Sequence, residues 1–371
     1  MIALPESYER SREAFRARLE TVRDRWPGAR LLSHPLPDGD EVTIDWIAAE
    51  ALEKKERVLI FTTGEHGVEG YAGAAALQLF LDEFLVRLDP RTTGLLLVHA
   101  INPWGMKHRR RVNAANVDLN RSFVTDFAPL ASANPDYDLL SGLLNPARPL
   151  GWAEGARLLF VARVVATLAR YGMVRLREAT LRGQFSHPRG IYFGGQAPQE
   201  ETTLMMGLFD EAIRGYAQML TLDMHTGYGP RDQMTLVASA QEKRSSQEMQ
   251  ARFGVPRVSA ANPQEFYSIQ GDMIEYLYSL MAQKFPDRPF FAASFEFGTF
   301  GDSTLAVLRS LFAMVAENQV HWQGGSAAAR HWVGCEFVEM FAPSAPDWLA
   351  KAEMDARQAF DGILRAEGFI E

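Results

Sequence analysis

The stretch "RVLIFTTGEHGVEGYAGAAALQLFLDEFLVRL", Arg57 to Leu88, with "TGLLLVHAINP", Thr93 to Pro103, just after it, decides the fold class. "RVLIFTTG" and "TGLLLVHAINP" are continuous apolar runs bounded by chain-breaking residues, the pattern of strands buried on both faces. Between them, Tyr71 to Leu88 is rich in Ala and Leu at helical spacing. Strand, helix and strand in that order predict a right-handed crossover and a mostly parallel sheet.

Further strands are expected at "EVTIDWIAA" (Glu41 to Ala49), "QMLTLDMHTG" (Gln218 to Gly227), "MTLVASA" (Met234 to Ala240) and "PFFAASFEFG" (Pro289 to Gly298). Helical spacing recurs in "AEGARLLFVARVVATLARYG" (Ala153 to Gly172), "EETTLMMGLFDEAIRGYAQ", "IEYLYSLMAQKF" and "STLAVLRSLFAMVAEN". Neither a linker nor an internal repeat interrupts the pattern. One large α/β domain over 1–371 is expected, with an insertion around 124–190.

Composition bounds the function. The 371 residues are 47% hydrophobic and 23% charged, enough to bury a large core. A formal net charge of −8 gives no reason to expect nucleic acid or an anionic membrane as partner. The basic run "KHRRR", Lys107 to Arg111, reads as a local patch. No run of 18 uncharged apolar residues and no signal-peptide core is present, so a cytoplasmic, soluble protein is expected. The single cysteine, Cys335, lies in the apolar string "HWVGCEFVEMF" and reads as a buried, inert thiol.

In α/β sheets ligands gather beyond the carboxyl ends of strands. Polar clusters stand at four such ends: His66 and Glu69 after "VLIFTTG"; "INPWGMKHRRRVNAANVDLNRSF" after "GLLLVHA"; His225 in "LDMHTGYG"; and Glu296 in "SFEFGTFG". Glu296 lies inside an apolar strand, where a carboxylate costs several kcal/mol unless paired. Two imidazoles and one carboxylate with an open fourth position make a catalytic zinc site. His66, Glu69 and His225 are the candidate ligands. Asp223, on the same strand face as His225, is a candidate partner of that imidazole. A free carboxylate, Glu296, suits the transfer of a proton from metal-activated water to a leaving group. A guanidinium from Arg109, Arg110 or Arg111 would stabilise an oxyanion, and Asn120 with Arg121 would clamp a carboxylate.

In this arrangement the chain resembles the zinc carboxypeptidases and their deacylase relatives, the M14-type metallohydrolases, over roughly Val58 to Gly301. "H66-G-V-E69" is similar to the family's His-x-x-Glu motif. "N102-P-W-G" and "D-L-N120-R121" are similar to its Asn-Pro-x-Gly and Asp-x-Asn-Arg signatures. "DMHTG" resembles the segment of its third ligand, and "FEFGTFG" the strand of its catalytic glutamate. The resemblance implies a three-layer α/β/α fold with a mostly parallel mixed central sheet and one Zn²⁺ per chain, held by His66, Glu69 and His225. It also implies Glu296 as general base, Arg111 as the arginine at the scissile carbonyl, and Asn120 and Arg121 on the substrate carboxylate. "FYSIQGD" resembles its mobile tyrosine loop, making Tyr267 a candidate substrate contact.

Two departures bear on the substrate. Peptide-cleaving members usually carry arginine where this chain has Val68, and "G-x-H-G-x-E" with "D-x-H-T-G" is closer to aspartoacylase and succinylglutamate desuccinylase. The long stretch between Arg121 and His225 also contains "RGQFSHPRGIYFGGQ" (Arg182 to Gln196), either a pocket-shaping loop or an ordinary surface loop. The expected activity is zinc-dependent hydrolysis of an amide beside a free carboxylate, on a short peptide or small molecule. An N-acyl-amino-acid deacylase is the alternative, and a catalytically silent metal-binding protein a weaker one. No P-loop or dinucleotide spacing supports nucleotide binding.

Overall fold

The chain begins with α1 (Tyr8–Arg23), β1 (Arg30–Pro35) and β2 (Thr43–Ala49). The predicted crossover follows as β3 (Arg57–Thr63), α2 (Gly70–Glu83) and β4 (Thr93–His99). After the short α3 (Pro103–Lys107), the segment expected to be an insertion carries α4 (Pro135–Leu144) and α5 (Ala153–Leu181). Then come α6 (Glu200–Gly215), β5 (Gln218–Thr226), β6 (Met234–Ala238), α7 (Ser246–Phe253) and β7 (Val258–Ala260). The last elements are α8 (Met273–Lys284), β8 (Phe290–Phe297), α9 (Thr304–Gln323), α10 (Ala327–Phe341) and α11 (Pro346–Ala366). This computed structural model describes residues 3–37, 40–260 and 270–371.

Among the described residues eight strands form one sheet in the order β1-β2-β4-β3-β5-β8-β6-β7. Its centre, β4-β3-β5-β8, is parallel throughout. Antiparallel pairing enters toward the edges, where β1 pairs with β2 and β2 with β4, and where β6 runs against β8. The central strands are buried on both faces, which is why they read as unbroken apolar runs.

Alternate side chains feed two cores. Leu59, Phe61, Leu220, Leu222 and Phe295 join α1, α2, α7 and α11 on one face. Val58, Ile60, Val98, Met219 and Ala292 join α6 and α8 on the other. Each fully buried Phe or Leu adds about 1.5–3 kcal/mol, so the three-layer arrangement follows from the two-residue period of the strands. The insertion packs separately: Tyr137, Phe160 and Val164 meet Leu311, Phe312 and Val333 of α9 and α10.

Some local expectations are corrected. The helix read as ending at Gly172 breaks there (φ 80°) and then resumes to Leu181. β1, a half-exposed edge strand, shows no apolar run and was not legible. "HWVGCEFVEMF" forms part of α10, and Cys335 is exposed on it rather than buried, with Sγ 3.8 Å from His331 Nε2. Cys335 falls on the exposed side of the helix with His331, Gly334 and Glu339, while Val333, Phe337, Met340 and Phe341 of the same string are buried. Among the described residues, no helix is long and apolar enough to cross a membrane.

Candidate metal centre

The loop "GEHGVEG" leaves β3 through Gly64, whose φ of 67° suits a residue without Cβ. Gly67 lies against the backbone of α3, where an added Cβ would stand 2.1 Å from the Gly105 carbonyl carbon. Two backbone bonds complete the seam, from Gly67 N to Arg111 O (3.1 Å) and from Val68 N to Arg110 O (2.9 Å). Asn102 secures the opposite side: its Oδ1 caps α3 at Gly105 N (2.8 Å) and its Nδ2 donates to Arg111 O (3.2 Å). The sequence "NPWG" thereby sets both the start of α3 and the position of Arg111 beside the loop.

Three donors converge from β3's end and β5. His66 Nδ1 is 2.9 Å from Glu69 Oε1, His225 Nδ1 is 3.0 Å from Glu69 Oε2, and the two Nδ1 atoms are 3.2 Å apart. All three residues are buried. Donors placed tetrahedrally at 2.0–2.1 Å from one zinc ion stand about 3.3 Å apart, so the spacing fits a single ion. The remote nitrogens are also committed as in metal sites: His66 Nε2 to Asp118 (3.1 Å), and His225 Nε2 to Asp223. Asp223 is itself held by Thr62 Oγ1 (2.6 Å), its register partner on β3.

Electrostatics point the same way. Burial opposes charge on His225, yet Asp223 and its neighbours draw that imidazole well above the usual histidine value. At His66, burial and Arg111 oppose protonation, but Glu69 and Asp118 outweigh them. Burial likewise disfavours ionised Glu69 and Asp118, while His66 and His225 at the former, and Arg111 and His66 at the latter, hold both carboxyls low. So negative a cluster favours positive charge among the three donors, and a divalent cation supplies it without protons.

Of the three consecutive arginines, the fold selects Arg111. Its Nη1 lies 3.1 Å from Glu69 and its Nε 3.2 Å from Asp118. Arg110 instead pairs with Glu317 (2.6 Å), and Arg109 is exposed and stacks over Tyr71. Glu296 stands opposite His225 in the β5–β8 register. Burial pushes its carboxyl up to about 8, against the pull of His225, and its Oε2 has no hydrogen-bond partner among the described residues.

His66, Arg111, Asn120, Arg121 and Glu296 all line one cavity of about 330 Å³. Arg121 is buried; its Nη1 and Nη2 donate to Asn120 O and Leu181 O, and its Nε has no partner among the described residues. Asn120 Oδ1 accepts from Met273 N at the start of α8 (2.9 Å). Tyr267 lies outside the described residues. The open choice at Arg182 to Gln196 resolves toward the cavity, since Tyr192 lines it.

Sequence reasoning gave no role to Asp118, although it stands two residues before Asn120 in the most distinctive string. It also passed over Glu65. That carboxylate is fully buried 3.3 Å from His225 Nε2, and burial pushes it up to about 7. Its flanking glycine and histidine offer no sequence signal of such depth.

Comparison with known proteins gives three results. No curated protein matches the sequence. Among solved structures, carboxypeptidase A from Helicoverpa armigera is similar at 12% identity and a TM-score of 0.47, covering 91% of this chain and 74% of that one. Bovine thrombin-activatable fibrinolysis inhibitor, in complex with tick carboxypeptidase inhibitor, is similar at 13% and 0.45, covering 88% and 97%. Succinylglutamate desuccinylase from Chromobacterium violaceum is similar at 15% and 0.36, covering 81% and 72%. A family model matches residues 5–354, nearly the whole chain. By that match the chain belongs to the family described as "Protein of unknown function (DUF2817)".

Proposed function

We propose that the chain is a zinc-dependent hydrolase that cleaves an amide bond next to a free carboxylate. One observation carries the reading: His66 Nδ1, Glu69 and His225 Nδ1 face one another at 2.9–3.2 Å, with a carboxylate behind each imidazole. Bound zinc, one per chain, would supply Lewis-acid chemistry, polarising the carbonyl and acidifying water.

The protein's own groups do the rest. Glu296 takes a proton from the attacking water and returns it to the leaving nitrogen. Burial raises this carboxyl, so once it has taken the proton it holds it for delivery to the leaving nitrogen. Arg111, fixed by Asp118 and Glu69, presents positive charge where the carbonyl oxygen becomes anionic. Arg121 and Asn120 hold the substrate carboxylate, which places the amide beside Glu296.

The substrate is a short peptide or a small acylated molecule. A specific observation favours the second form, an N-acyl amino acid. Val68 is fully buried with Met314 and Phe341, so the first motif sends no cation into the cavity to hold an extended chain. The test is a hydrolysis screen pairing C-terminally free dipeptides with N-acyl amino acids, with and without chelator, for wild type and Glu296→Gln. Turnover that survives chelation, or that Glu296→Gln retains in full, would refute the mechanism.

A further inference from the structure

Tyr192 lies in the Arg182 to Gln196 segment, and its backbone is in the left-handed region at φ 57°, uncommon for a large side chain. Several bonds hold it there. Gln184 N donates to Tyr192 O (3.0 Å), and Gly194 N donates to Gln184 O (2.8 Å). Asn116 Nδ2 donates to Pro188 O and Gly190 O, each at 3.0 Å. Asp118 N donates to the neighbouring Phe193 O at 2.7 Å. The residue behind His66 and Arg111 is thus tied by its backbone to this segment. Strained backbone so firmly secured is a mark of functional positions.

The ring packs against the apolar cluster of Val68, Met314 and Phe341, while the side chain lines the cavity. Arg111 and Arg121 are the cations within electrostatic reach of the phenol, and Asp118 the anion. Among the described residues its hydroxyl has no hydrogen-bond partner, although a half-buried tyrosine normally finds one. Among the described residues Arg121 Nε is also unpartnered, and Arg121 lines the same cavity. Nearby Asp272 is engaged at the start of α8, where its Oδ1 accepts from Glu275 N (2.9 Å). Asp118 is engaged by His66 and Arg111. Among the described residues this corner therefore offers donors that lack acceptors, and the group proposed to complete it carries acceptor oxygens and negative charge.

We propose that the Tyr192 hydroxyl donates a hydrogen bond to the substrate's carboxylate beside Arg121, which makes the Arg182 to Gln196 segment part of the substrate site. The proposal rests on the hydrolase reading above. It involves a different segment from the one containing Tyr267. Burial raises the phenol above its ordinary value, so it remains a protonated donor at neutral pH.

The experiment uses zinc-loaded full-length protein carrying Glu296→Gln, so that no probe is consumed. Isothermal calorimetry measures N-acetyl-L-phenylalanine and its C-terminal amide, with and without Tyr192→Phe. Phenylalanine keeps the ring and its packing, and zinc content and melting temperature are recorded for both proteins. Expected is roughly ten-fold weaker binding of the acid, the effect of one hydrogen bond to a charged group, with amide affinity and zinc content unchanged. Equal acid affinity in the two proteins would overturn the proposal, as would equal weakening of acid and amide. If the parent bound zinc but neither probe, the carboxylate-site reading itself would fall, and the role of Tyr192 with it.

Discussion

Asp118→Asn is the sharpest test of the metal centre, because it changes one charge and almost no volume. Asp118 accepts from His66 Nε2 at 3.1 Å and from Arg111 Nε at 3.2 Å. Asparagine keeps one acceptor oxygen but loses the charge that orients the imidazole and raises its basicity. Removing such a partner lowers metal affinity by about 10–100-fold, or about 1.4–2.7 kcal/mol. A second effect adds to it. Among the described residues Arg111 would be left with Glu69 as its carboxylate partner, at 3.1 Å. Its charge would then compete with the cation for Glu69 and move away from the scissile carbonyl. Zinc affinity by competition with a chromogenic chelator, read beside kcat, should show both effects in a protein whose melting temperature is nearly unchanged. A dissociation constant within two-fold of wild type would refute the reasoning, since Asp118 would then neither orient nor polarise His66.

Replacing His66 and His225 together by alanine should abolish zinc binding in metal analysis; full occupancy would rule out the donor set. Gly67→Ala should lower both melting temperature and zinc affinity, because its Cβ would meet Gly105 backbone at 2.1 Å and force the loop off α3. Arg121→Ala should raise KM for carboxylate-bearing substrates by ten-fold or more with kcat less affected, and an unchanged KM would remove it from the substrate. For pH, the sign follows from the shifts. Glu296 and Glu65 rise from 4.5 to about 8 and about 7 in the folded chain, and both histidines rise above 6.5. Each folded group binds its proton more tightly, so that stabilisation is complete below the unfolded value and is lost as pH climbs through the folded one. Calorimetry on chelated protein should show melting temperature falling from pH 5 to 8, and zinc should flatten the slope. A flat profile for the chelated protein would contradict it.

Much of the site was legible because its residues interrupt strong local patterns. Glu296 stands out in an apolar strand, and His66 and Glu69 follow directly on a run that is buried throughout. Asp118 and Glu65 were not legible in this way: one lies in a stretch without strand or helix periodicity and the other in a glycine loop, so neither breaks a pattern. The position of Cys335 failed for a related reason. An apolar string reports composition, whereas burial depends on which side of α10 another helix covers.

The sequence by itself determined the alternation of strand and helix, the parallel centre of the sheet and the residue types gathered at its strand ends. These are local properties, expressed in periods of two and 3.6 residues. Only the tertiary structure decided which of three adjacent arginines meets the site, which carboxylate stands behind His66, and that Tyr192 faces the same cavity as Arg121. Such choices join side chains 42, 52 and 159 residues apart. They depend on strand register, such as Thr62 opposite Asp223 and His225 opposite Glu296, and on the close contact of Gly67 with α3. Register and packing are set by the chain as a whole, and no short stretch encodes them.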